Sequence, residues 1–259
     1  MSLSEPLISV VIPARNGALF LAPAMNSVLA QCYPNLEVLL VDDGSSDDLA
    51  ERSQHYGANV RYIRQEPQGP AAARNRAIRE STGDIIAFLD IDDLWTANHL
   101  RILGGALREN PQAGIAQGLM RQFWSTADGR YFRTGVYRMP YLGSCLFRRE
   151  VFLECGLFDE GMPFGEDHDF FLRCWEHDVA KVNVDALCLL YRRHPGNMTR
   201  RSGGQEQVGV LKRRLDRIRR GTVDPTAERG EPFQSFMGDR ALIGQLSYQE
   251  VRECDLLSA

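Results

Sequence analysis

Three times in the first ninety residues the chain runs mostly apolar, without the alternation of a half-wet strand, and then stops at polar residues. LISVVIP (Leu7 to Pro13) ends in PARN, LEVLLV (Leu36 to Val41) in DDGS, and DIIAFLD (Asp84 to Asp90) in a further pair of acids. A strand with one wet face alternates apolar and polar residues, so runs that are apolar at neighbouring positions demand cover on both faces. VRYI (Val60 to Ile63) is a shorter strand of the same kind. The intervening segments read as helices: Leu19 to Ala30 by apolar spacing, Ser46 to Tyr56 with Asp47 and Asp48 in its first turn, the Ala-rich Gly69 to Ser81, and Asn98 to Asn110 before Pro111. Strands alternating with such helices predict an α/β fold with a mostly parallel sheet flanked by helices. Ligands of such sheets bind beyond the carboxyl ends of the strands. PARN, DDGS and the acids after Leu89 should therefore meet in one crevice.

The second half is less regular. Met120 to Arg138 reads as a hairpin or lid, Gly143 to Gly156 as a strand and short helix, and Gly165 to Asp178 as a helix with an acidic start. Phe170, Phe171, Cys174 and Trp175 share that helix's apolar face. Beyond Arg200, Val208, Leu211, Leu215 and Ile218 form a stripe at helical spacing among Lys212, Arg213, Arg214, Arg217, Arg219 and Arg220. A last helix is expected from Leu242 to Leu257.

Composition narrows the function. With 259 residues and a formal net charge of −4, the chain is long enough for a sizeable core and too acidic for a whole-protein nucleic-acid binder. None of the six cysteines falls in a CxxC pair, so buried thiols of a reducing compartment are expected. MSLSEP has no basic stretch leading into an apolar one, and no apolar run reaches the roughly 18 residues of a membrane span. The expected location is the cytoplasm.

The motif DIDD places Asp90, Asp92 and Asp93 at the end of a core strand. One reading is a cap and acidic first turn for the following helix. A calcium loop starting at Asp90 fails, because Leu94, Trp95 and Arg101 stand where an oxygen ligand, Gly and Glu are required. The third reading is a DxD site in which a divalent cation shares carboxylate and phosphate oxygens.

In order, PARN, DDGS, GPAAARN (Gly69 to Asn75), GDIIAFLDIDDLW (Gly83 to Trp95) and GEDHDFFLRC (Gly165 to Cys174) resemble the GT-A glycosyltransferases of family 2 over Leu7 to Thr199. The resemblance implies a GT-A (Rossmann-like) domain over 1–200, with a nucleotide-binding half over 1–110 and an acceptor and catalytic half over 111–200. Residues 201–259 would form a C-terminal helical extension. It implies an inverting transferase using a nucleotide-diphosphate sugar, most often UDP-linked, with Mn²⁺ or Mg²⁺ and a saccharide or lipid-linked acceptor, in bacterial cell-surface polysaccharide or glycolipid synthesis. Carried onto this sequence, Pro13, Ala14 and Arg15 line the base and ribose, Asp43 bonds the base with Asp42 in support, and Arg74 touches the nucleotide. Asp90 and Ile91 face the ribose, Asp92 and His194 hold the metal, Asp167 is the base and Glu166 orients the acceptor. Arg15 stands where the family usually has an aromatic.

The alternatives are a sugar-nucleotide-forming nucleotidyltransferase, which would want more than the one Gly of PARNGALF, and a non-catalytic binding protein on the same scaffold. Arg74 also reads as a solvated arginine, Asp43 as a turn residue, Asp167 as a cap and His194 as structural. His55, His99 and His177 read as surface or packing residues. The stripe over 208–220 reads either as a helix packed on the domain or as a peripheral contact with the inner face of a membrane. Oligomeric state has no signature.

Overall fold

The computed structural model describes residues 5–198, 205–238 and 246–255. Its first half follows the alternation: β1 (Ile8–Ala14), α1 (Ala18–Leu29), β2 (Leu36–Asp43), α2 (Leu49–Ser53), β3 (Arg61–Gln65), α3 (Pro70–Glu80), β4 (Ile85–Phe88). After β4 come the two-residue β5 (Leu94–Trp95) and α4 (His99–Glu109). The strands β3, β2, β1 and β4 are adjacent and parallel, with β1 in the middle. Alternate residues of β1 go to opposite faces. Ile8, Val10 and Ile12 pack with α1 and α4, while Val11 packs with α3, so both faces are dry, and the one polar side chain of the strand, Ser9, is buried and donates to Glu37.

The second half extends the same sheet antiparallel. It supplies β6 (Ile115–Ser125), β7 (Tyr131–Thr134), β8 (Cys145–Arg148), α5 (Arg149–Cys155), α6 (Glu166–Glu176) and β9 (Lys181–Arg192). β8 pairs antiparallel with both β4 and β6, and β6 and β7 form the expected hairpin. Among the described residues the sheet is therefore mixed, with 10 strands, and its parallel pairs are those of β3, β2, β1 and β4 and that of β6 with β9. β9 runs parallel to β6 and antiparallel to β5. Sequence reading missed β9, whose burial alternates irregularly between half-buried and exposed until Cys188.

The C-terminal extension is helical at α7 (Gln205–Arg219) and α8 (Phe233–Met237). Among the described residues of the span Leu242 to Leu257 the expected helix does not form. Tyr248–Val251 is instead β10, which pairs antiparallel with β7, followed by one turn of tighter helix at Glu253–Asp255. Tyr248 and Val251 add β-favouring side chains, and the free edge of β7 offers unpaired backbone groups, so sheet pairing overrides the apolar spacing. The remainder of that expected helix lies outside the described residues. Among the cysteines whose side chains are described, Cys145, Cys155, Cys174 and Cys188 are buried free thiols and Cys32 is exposed.

Candidate active site

The three strand-end motifs do meet. The Asn16 amide donates to Ser45 Oγ at 2.9 Å, and the Ser46 amide donates to Asn16 Oδ1 at 2.8 Å, so the loops after β1 and β2 are stitched together. They open on a cleft of about 780 Å³, whose wall includes Pro13, Ala14, Arg15, Asp43, Arg74, Asp90, Ile91, Asp92, Glu166, Asp167 and His194. Asp42 does not line it. Its buried carboxylate accepts from the Ser45 amide at 2.7 Å, Arg64 Nη1 at 2.9 Å and the Tyr62 hydroxyl. Burial would raise its pKa, but these bonds hold it below the ordinary value, so Asp42 braces the loop.

Asp43 faces the cleft and is nearly filled. Its carboxylate accepts from Gln65 Nε2 and from the amides of Gln68 and Gly69, each at 2.8 Å. About one of its roughly four lone-pair sites remains. Gly69 has φ +94, the left-handed turn that points its amide back at Asp43 as α3 begins.

Arg74, from α3, is the cation absent from the sequence around DIDD. Nη2 donates to Asp90 Oδ1 at 2.8 Å, and Nη1 donates to Glu166 Oε1 at 2.7 Å. Burial alone would lower its pKa; the charges of Asp90 and Glu166 more than reverse this. Burial pushes the Glu166 carboxyl up, with Arg74 opposing. Arg74 thus ties the end of β4 to the head of α6 instead of projecting freely into the cleft. Asp93 is fully buried, accepting the Arg192 amide at 2.8 Å. The Tyr141 hydroxyl lies 3.0 Å from Asp90 and 3.1 Å from Asp93. With one proton to give, it serves both acids only if one is protonated, and burial beside Asp92 and Asp90 holds Asp93 well above the usual carboxylate range.

Asp92 remains. Its Oδ2 lies 2.9 Å from His194 Nε2, 102 positions away, and 3.3 Å from Asn197 Nδ2. Burial and the Asp90 charge raise its pKa. The His194 ring packs on Phe20 at 4.9 Å between centroids. A carboxylate and an imidazole suit Mn²⁺ or Mg²⁺ only if a ligand supplies further oxygens. Among the described residues no group of three or more His, Cys, Asp or Glu side chains is arranged to hold a metal alone. The donor set thus fits a cation that arrives with a diphosphate.

On the opposite wall, Gly165 takes φ +80 and turns the chain into α6 with Glu166, Asp167 and Asp169 in the first turn. Glu166 is held by Arg74. Asp169 is held by Arg173 at 2.9 Å and Arg217 at 2.8 Å. Asp167 accepts the adjacent His168 amide at 2.8 Å, with the His168 ring 3.8 Å away, and it lines the cleft. Sequence reading missed Phe20, Tyr141, His168, Tyr191 and Asn197 in the wall. Asn197 had a signal, sitting beside His194 in HPGN; Tyr141 had none.

The description of the glycosyl transferase family 2 domain matches residues 9–156. The chain belongs to glycosyl transferase family 2. An uncharacterized glycosyltransferase of Rickettsia felis is 39% identical over 207 residues, 73% of this chain and 34% of that protein, so the chain spans about a third of that relative. The Escherichia coli UDP-Glc:alpha-D-GlcNAc-diphosphoundecaprenol beta-1,3-glucosyltransferase WfgD is 35% identical over 102 residues, 39% of this chain and 40% of WfgD. Among solved structures, the mannosyltransferase PcManGT of Pyrobaculum calidifontis, in complex with GDP-Man and Mn²⁺, matches with TM-score 0.67 and 19% identity over 90% of this chain and 68% of its own. S. aureus TarS 1–349 in complex with UDP matches with TM-score 0.60 and 20% identity over 73% and 61%. At these identities the structures support the shared GT-A fold of family 2. Among the described residues no helix is long and apolar enough to cross a membrane.

Proposed function

We propose that this family 2 chain is an inverting transferase that moves a sugar from a nucleoside-diphosphate donor to an acceptor hydroxyl, in surface polysaccharide or glycolipid synthesis. In this reading residues 1–110 hold the donor, and 111–200 supply the acceptor face and the base. The observation that carries it is that each acid cluster keeps, on the cleft wall, one acid with no arginine partner among the described residues: Asp92, beside His194, and Asp167, at the head of α6.

Asp43 has room to accept one more hydrogen bond, which suits a base with a ring N–H, such as uracil, over cytosine. Pro13, Ala14, Arg15 and Ile91 flank that position. Asp92 and His194 would hold Mn²⁺ or Mg²⁺, which when bound supplies Lewis-acid stabilisation of the leaving diphosphate. Asp167 accepts the acceptor's hydroxyl proton as that oxygen bonds to the anomeric carbon. The carbon–oxygen bond to the diphosphate breaks on the opposite face, and the electron pair leaves with the nucleotide. One base and a single displacement give inversion. Glu166, fixed by Arg74, orients or contacts the acceptor beside Asp167. UDP, as bound by TarS, is the first donor nucleotide to try, and a lipid-diphosphate acceptor, as in WfgD's name, the first acceptor class. The inner face of the membrane is the corresponding location.

A thermal-shift panel of UDP, GDP, CDP and dTDP, each with and without Mn²⁺, tests the reading. Binding to the folded state raises the melting temperature. The expected result is a shift with UDP that requires the cation and disappears in Asp92→Ala; no shift with any nucleotide overturns it.

A further inference from the structure

α7 is packed inside out. Its exposed face carries Val208, Leu211 and Leu215, which are 69%, 57% and 42% exposed, together with Lys212 and Arg219. Arg220 follows, also exposed. The inward face carries arginines. Arg213 pairs with Asp159 at 2.6 Å, and Arg214 lies 3.4 Å from Glu176. Arg217 pairs with both Asp169 and Glu176 at 2.8 Å. An amphipathic helix on a globular domain normally does the reverse.

The cause lies in α6. Asp169 and Glu176 are buried carboxylates, one side chain 2% exposed and the other 1%. Rotating α7 to bury its leucines would leave Glu176 without either of its cations, a heavier penalty than leaving apolar side chains wet. The outward apolar strip is therefore fixed by charge pairing beneath it and is free for an external partner.

That strip adjoins the cleft. A side chain on Gly209 would come within 3.5 Å of Met162 Cε, and Met162 leads directly into Pro163 and Phe164 of the cleft wall, just before Asp167. We propose that the outward face of α7 docks on an anionic lipid surface and so presents the Asp167 side of the cleft to an acceptor held in that surface. The leucines enter the headgroup region while Lys212, Arg219 and Arg220 meet anionic headgroups. A second copy fits less well, since two-fold pairing of α7 with itself sets these cations against their own kind. Arg219 keeps one weak local partner, Asp216 at 3.6 Å. The position of the acceptor rests on the transferase reading; the docking does not.

Flotation of the full chain with vesicles of phosphatidylcholine, and of equal parts phosphatidylcholine and phosphatidylglycerol, tests this at low and raised salt. The expected result is flotation with the anionic vesicles only, weakened by salt. Removing each cation should weaken binding roughly fivefold, so Lys212→Glu/Arg219→Glu should lose well over tenfold, and Leu211→Glu/Leu215→Glu a comparable amount. Both variants alter only exposed positions and should keep the wild-type melting temperature and its nucleotide shift. Absence of flotation at low salt overturns the proposal, as do variants that float like the wild type. So does a wild-type dimer that Leu211→Glu dissociates, which would assign the strip to a second copy. A chain that floats but shows no nucleotide shift supports the docking and overturns the transferase reading.

Discussion

Two acid clusters face each other across the cleft, one at the end of β4 and one at the head of α6, and each holds three carboxylates within four positions. Each is thinned by different means to one cleft-lining acid with no arginine partner among the described residues. At β4, Asp90 is paired with Arg74, and Asp93 is held well above the usual carboxylate range by burial and the charges of Asp92 and Asp90. At α6, Glu166 is neutralised by the same Arg74, and Asp169 by Arg173 and Arg217. What remains differs in its surroundings. Asp92 meets the imidazole of His194 and the amide of Asn197, a setting that can accept a cation. Asp167 meets its own helix amide and open cleft, a setting for taking a proton. Role is set by which neighbours each acid leaves unpaired, and Arg74 sets it for both clusters at once.

The comparison breaks most visibly at Asp167. Asp167→Asn should keep the nucleotide-induced thermal shift while the transfer rate drops roughly 10²- to 10⁴-fold; a rate within threefold of wild type would remove the base assignment. Next comes Arg74→Met, which strips the shared cation from two acids. Unfolding in urea should show a loss of about 3–5 kcal/mol, and a loss below about 1 kcal/mol would mean that the clusters are independently stable. Asp92→Asn should leave stability nearly unchanged but abolish the Mn²⁺-dependent nucleotide shift. If Asp167→Asn had that effect instead, the two roles would be exchanged.

A smaller effect separates acid titration from the histidine that titrates in the same range. His99 is buried against Trp95, and burial lowers its pKa to about 3. The unfolded chain takes up a proton there below about pH 6.5 while the folded chain does not, so stability falls as pH drops. The expected loss is about 1 kcal/mol between pH 7 and pH 5.5. His99→Phe should flatten that slope in thermal melts; an unchanged slope would return it to the acids. Smallest of all, Asp93→Asn should cost under about 1 kcal/mol, since a neutral side chain already suits the site. Asp93→Ala, which leaves the Arg192 amide unpartnered, should cost about 1–3 kcal/mol by the same denaturation.

The donor side of the cleft was legible because its determinants are local. In each of PARN, DDGS and DIDD the apolar run and the polar residues that end it lie within a few positions of one another, and strand direction alone brings their ends together. The pairing of Asp92 with His194 was legible only through the family resemblance, since 102 positions separate them. Tyr141 was not legible at all, because a tyrosine in a loop has no periodicity to mark it. Asp42 was placed in the nucleotide site on the strength of its motif, yet it stands behind it, because adjacent residues of an extended strand point to opposite sides.

The sequence by itself determined the parallel core, the crevice and which residue types would line it, since burial on both faces and the direction of the strands follow from pattern. Only the tertiary structure decided which acids an arginine pairs with, and which face of α7 points outward. Both depend on which cation reaches which buried carboxylate across long stretches of chain. Charge pairing at a few ångströms has no period in the sequence. It exists only once Arg74 and Arg217 have been carried by their helices to Glu166, Asp169 and Glu176.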